Sequence, residues 1–158
     1  MFNRIKYLCL IILIASCQNT PNKRTEVPSE INNLFDTYIT AWSDGDIDEI
    51  VNNVYGVPCI FYQPDNVIVL NTKDDIRNFL TDTFEQLDKN DYGYSTFNGW
   101  EHIKISKGNA LVEMNFTRYL KDGSKMGDSK RTASYVLRKD GNSPYRIFSV
   151  IPHAPLTE

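Results

Sequence analysis

The 158 residues include only two histidines and three cysteines. His102 and His153 have no paired ligand spacing, and Cys17 and Cys59 do not cluster with them, so no metal centre is expected. No glycine-rich phosphate loop and no nucleophile elbow occurs, and no cofactor is expected. The chain lacks a basic block: Lys+Arg number 17 against 20 Asp+Glu, and the net charge is −3. With a pI near 5.4, a nucleic-acid partner is not expected. The apolar run near the start is far shorter than the ~20 residues that span a bilayer. A mean hydropathy of −0.39 argues against a polytopic membrane protein. No internal repeat of solenoid length is present. What is present is ordinary globular composition, 41% hydrophobic and 23% charged, in a length that suits one domain.

The first residues have the order of a secretory signal. Arg4 and Lys6 give a short positive end, Tyr7 to Ala15 an apolar run, and Ala15 and Ser16 the small residues before a cut. Ile14-Ala15-Ser16-Cys17 resembles the lipobox of bacterial lipoproteins. That resemblance implies cleavage before Cys17, lipidation of Cys17 and attachment to a membrane through it. Several acyl chains together hold a protein firmly, where one binds only marginally. Residues 1–16 are then a signal peptide and 17–29 a polar, proline-containing tether, leaving 30–158 as the domain. Gln18 after the cysteine, by the same resemblance, favours the outer membrane over retention at the inner one, with the domain facing the periplasm. Cys59 is left without a disulfide partner, and a buried small hydrophobe is the expectation for it.

In the folded part, Ile31, Leu34, Phe35, Tyr38 and Trp42 make one stripe of an amphipathic helix, with Ser29 as its cap and Gly45 at its end. Asp46 and Glu49 stand in capping spacing before a short second helix carrying Ile47, Ile50, Val51 and Val54. Residues 59–63 and 67–71 read as a hairpin around "PDN". Thr72 caps a third helix whose apolar face is Ile76, Phe79, Leu80, Phe84 and Leu87. Four long strands follow, 95–106, 110–120, 129–139 and 145–153, joined by turn-rich connections. Sequential strands with short turns predict an antiparallel meander.

This order, together with "AWSDGDID" between the first helices, resembles the nuclear transport factor 2-like superfamily, which includes SnoaL-like polyketide cyclases and ketosteroid isomerases. The resemblance covers about residues 30 to 154. It implies an α+β fold: a cone-shaped, curved antiparallel sheet of about six strands wrapped around three N-terminal helices, also called cystatin-like. It implies no chemistry, because one such fold hosts many unrelated activities.

Alternation along the strands assigns inward side chains. Ala110, Val112, Met114 and Phe116 face the helices, as do Ala133, Tyr135 and Leu137, and Ile103 and Ile105. Ile147, Ser149, Ile151 and His153 share a side of the last strand. The groups expected to meet inside are Tyr38, Trp42, Tyr62, Tyr135, Ser149 and His153, as the wall of a pocket for a small apolar ligand. Isomerase chemistry needs a carboxylate base in that space, and none of the inward sets supplies one. An enzyme built on this chain would depend on Tyr38 and His153. Trp100 and Tyr119 are expected on the outer sheet face, where members of the superfamily often dimerise, and are the candidate interface of a homodimer or of an accessory subunit of an envelope complex.

Overall fold

A computed structural model of the chain describes residues 27–154. The expectations for residues 1–26, the cleavage and lipidation at Cys17 among them, lie outside the described residues. The elements are α1 Ser29–Asp44, α2 Ile47–Glu49 continuing as a π-helical turn Ile50–Val54, β1 Tyr55–Gln63, β2 Asn66–Leu70, α3 Lys73–Lys89, β3 Tyr92–Ser106, β4 Asn109–Leu120, β5 Arg131–Arg138 and β6 Arg146–His153.

The local signals explain most boundaries. The expected stripe of α1 is buried, with Ala41 added to it. Gly45 ends the helix in the left-handed conformation, φ 67°, which glycine adopts without a Cβ penalty. Ser29 does not cap α1; it is the first helical residue, and Pro28 holds the cap position with no side-chain bond. Its carbonyl takes the first helical N–H groups, from Ile31 at 3.0 Å and Asn32 at 3.2 Å. Asp46 accepts from the Glu49 N–H at 2.9 Å. At α3 the box is reciprocal: Thr72 Oγ1 accepts from Asp75 N at 3.0 Å, and the Asp75 carboxylate accepts from Thr72 N at 3.0 Å.

The strands form one open, curved sheet in the order β2-β1-β6-β5-β4-β3. From β3 to β6 it is the expected meander. The sheet as a whole is mixed rather than antiparallel, because β1 and β6 run parallel. The chain leaves the sheet after the β1–β2 hairpin, crosses through α3, enters at the far edge and zigzags back until β6 lies beside β1. Such a return between strands distant in sequence leaves no turn signal to read.

Two of the sheet's register shifts reverse the expected facing of side chains. Between Leu137↔Ile147 and Val136↔Ser149, β6 spends two steps against one of β5. This bulge keeps Ile147 in the core but makes Val150, not Ser149, the next inward residue. Ser149, Ile151 and His153 therefore face the outer side, contrary to the simple alternation. In β3 the register slips between Trp100↔Met114 and His102↔Glu113, Glu101 being the extra residue. Trp100 and Ile103 thus both face the helices, and Trp100 is not on the outer face.

Candidate functional site

The inner face of the sheet is filled with rings. Phe35 of α1 meets Tyr135 of β5 at 4.9 Å and Trp100 of β3 at 4.8 Å between centroids, both edge to face. Tyr38 touches Trp42, Tyr55 and Tyr135 at 5.8 to 6.1 Å. Phe61 packs on Phe79, and Trp42 on Phe84 of α3. The hydroxyls of Tyr38 and Tyr55 are 3.5 Å apart. Loss of water raises the pKa of all three tyrosines, Tyr55 and Tyr135 well above the ordinary value, so the cluster is neutral at any physiological pH. Cys59, fully buried, leans on the Ile147 carbonyl at 3.6 Å, and burial pushes its thiol up to about 12. It is the small hydrophobe expected, with no thiolate to act as nucleophile.

The six residues assigned to one pocket do not share one space. Tyr38, Trp42 and Tyr135 meet inside, as expected. Tyr62, 41% exposed, and Ser149 line a shallow outer groove with Val57, Ile60, Val136, Phe148 and Ile151. His153 also lies outside. Its Nε2 is 3.0 Å from Ser134 Oγ and 3.7 Å from Glu113 Oε1, and its Nδ1 is 2.7 Å from the Ala154 carbonyl. The sheet separates it from Tyr38.

That histidine belongs to a polar cluster on the outer face. Glu113, Asn115, Thr117 and Thr132 are buried there. Thr132 Oγ1 donates to Asn115 Oδ1 at 2.8 Å, Asn115 donates to Glu101, and Thr117 is held between Asn98 and the Ser129 carbonyl. Among the described residues no three His, Cys, Asp or Glu side chains gather as metal ligands. Of the two interface candidates, Trp100 is turned inward and donates from Nε1 to Asn32 Oδ1 of α1 at 3.0 Å. Tyr119 is half-buried and stacks on Tyr94 at 4.8 Å.

Two inward groups escape a reading based on apolar alternation. Arg118 and Arg131 continue the inner sets of β4 and β5 past Phe116 and Ala133. Their signal is parity alone: each stands two positions from an inward residue.

A curved, open, mixed sheet covered on one side by two long helices and a short helical piece between them defines a nuclear transport factor 2-like domain. Residues 29–155 match the family described as NTF2-like protein (DUF6841), and the chain belongs to it. Solved structures agree at the level of fold. An NTF-2 like protein of unknown function from Shewanella oneidensis is similar over 78% of this chain and 96% of its own, with a TM-score of 0.60 at 16% identity. A cystatin-like protein of unknown function from Nostoc punctiforme gives 0.62 at 13% identity, over 82% and 94%. A ketosteroid isomerase-like protein from Erwinia carotovora gives 0.55 at 18% identity, over 80% and 96%. No curated protein matches.

Proposed function

We propose that this chain is a lipid-anchored protein of the bacterial envelope whose NTF2-like domain binds a small ligand with an apolar body and catalyses nothing. The observation that carries the second half is the division of the chemistry between two faces. Among the described residues the inner face holds tyrosines without a carboxylate, whereas Glu113 and His153 stand together on the outer face. Proton shuttling of the isomerase type needs base and oxyanion donors around one substrate. The alternative, an enzyme of SnoaL or isomerase type using Tyr38 and His153, has its two groups on opposite sides of a sheet. The likeness to a ketosteroid isomerase-like protein supports the fold and leaves this division untouched.

The anchor rests on the order of charged end, apolar run and Ile14-Ala15-Ser16-Cys17. Native mass spectrometry of the full chain, released from detergent micelles, tests both halves. The expected spectrum shows the mass of a chain beginning at an acylated Cys17, with a co-purified small molecule on part of the population. A mass that retains residues 1–16 would sink the anchor. Turnover of a β,γ-unsaturated ketone that is lost in Tyr38→Phe would sink the non-catalytic reading.

A second reading has its own observation. The outer face exposes Val57, Tyr62, Val69, Leu111 and Val136 at 38% or more each, with the shallow groove among them. The occupant proposed is a second copy of this chain, since an apolar strip of this kind is complementary to itself across a two-fold axis.

A further inference from the structure

Buried cations in proteins are paired with carboxylates or held by bound anions, because an uncompensated charge in an apolar setting is costly. Arg118 and Arg131, each half-buried, meet that rule only in part: Asp128 acts on Arg131 from a distance, without an ion pair. Both continue inner sets of the sheet, and Arg118 lies against Trp42 near the end of α1. The Arg118 guanidinium lies over three rings, 5.9 Å from the Trp42 and Tyr92 centres and 5.7 Å from Phe116. Among the described residues it has no carboxylate partner and donates no hydrogen bond. Arg131 is opposite Phe116 on the neighbouring strand and gives Nη2 to the Met126 carbonyl at 2.9 Å, while its buried Nε meets no acceptor. Desolvation, and then the charge of Arg118, lower the pKa of Arg131. The Trp42 indole N–H, on a side chain more than nine-tenths buried, also lacks an acceptor.

Every unsatisfied group here is a donor. Ring faces stabilise a cation, but they leave the in-plane N–H groups of a guanidinium unbonded. Arg118 is only half-buried, so this end of the interior is open to solution. The missing partner is an acceptor with negative charge, and the surrounding rings favour an apolar body behind it. A carboxylate fits the planar fork of a guanidinium.

We propose that Arg118, Arg131 and the Trp42 indole N–H form the head-group end of the ligand site, and that they take a carboxylate carried on an aromatic or alkyl body. This rests on the binding reading given above. It narrows the ligand class from apolar to amphipathic and anionic.

The test is calorimetric titration of the full chain in nonionic detergent with 2-naphthoate, 2-naphthol and inorganic phosphate, each corrected for empty micelles. Naphthoate should bind at least tenfold tighter than naphthol. Arg118→Gln should cut naphthoate affinity about tenfold and leave naphthol unchanged. Equal binding of the two compounds would overturn the anionic head group and keep the binding reading. Failure of both to bind would overturn the two together. Binding of phosphate without naphthoate would overturn the amphipathic ligand. A second measurement reads binding through stability: naphthoate should raise the melting temperature of the full chain more than naphthol does, and an equal rise would overturn the proposal.

Discussion

At the scale of single residues, the interior is built to keep acids protonated. Cys59, Tyr38, Tyr55 and Tyr135 have no nearby cation that offsets their loss of water, apart from the weaker effect of Arg118 on Tyr38 and Tyr135. Their folded pKa values lie above the unfolded ones, 9.0 for the thiol and 10.0 for the phenols. Below pH 9 both states hold these protons, and the groups add no pH dependence. Above it the unfolded chain releases them and the folded one does not, so stability falls as pH rises. Each group then costs about 1.4 kcal/mol per pH unit. Urea unfolding should show a plateau to about pH 9 and a steep loss beyond pH 10, and Tyr135→Phe should make that loss shallower. A profile that stays flat to pH 11 would mean that water reaches the tyrosine cluster. The same burial predicts slow thiol chemistry. In a chain carrying Cys9→Ser and Cys17→Ser, a disulfide reagent at pH 8 should label Cys59 only at the rate of unfolding, and at once in denaturant.

At the scale of elements, the helices were legible and the strand faces only in part. The stripe on α1 and the Thr72 cap of α3 are local, fixed by residues three and four apart, and the structure repeats them. Thr72→Ala should cost about 1 kcal/mol, seen as a drop of a few degrees in melting temperature. Strand faces depend on counting by two, and one added residue reverses the count for everything beyond it. That is why Ala133, Tyr135 and Leu137 stood where alternation put them, while Ser149 and His153 did not. Glu101 does the same to Trp100. Nothing local marks the β6 bulge, where residues 147–149 read Ile-Phe-Ser; the β3 slip follows Gly99, whose φ of 136° accompanies a neighbouring shift in register. The β1–β6 pairing was hidden for a different reason, since it joins segments about ninety residues apart. The reversal has a measurable consequence. Trp100→Ala removes a ring packed on Phe35 and a hydrogen bond to Asn32. It should destabilise the fold by about 2–3 kcal/mol and leave the mass in solution unchanged, whereas an interface tryptophan would show the opposite pattern.

At the scale of the whole molecule, the α+β fold could be read from element order, and the candidate site could not, because it depends on which face of one sheet each group occupies. The two faces have different surroundings. Helices cover the inner one, with Arg118 half-buried at its end. The outer one carries a polar cluster at the end near His153 and exposed aliphatic side chains around Val136. Val136 lies between Leu111 and Ser149 in the ladder, at the middle of that apolar strip. It is the residue whose replacement reports on assembly with least effect on the core. If a second copy covers the strip, light scattering after gel filtration should give twice the mass of one chain at micromolar concentration, and Val136→Asp should give one. An aspartate there would face its own symmetry mate across a two-fold axis and lose its water, two penalties that reinforce each other. In a monomer the same aspartate would stand in solvent, with an effect within about half a kcal/mol. A single-chain mass for both proteins would reject the dimer and leave the strip free for a different partner.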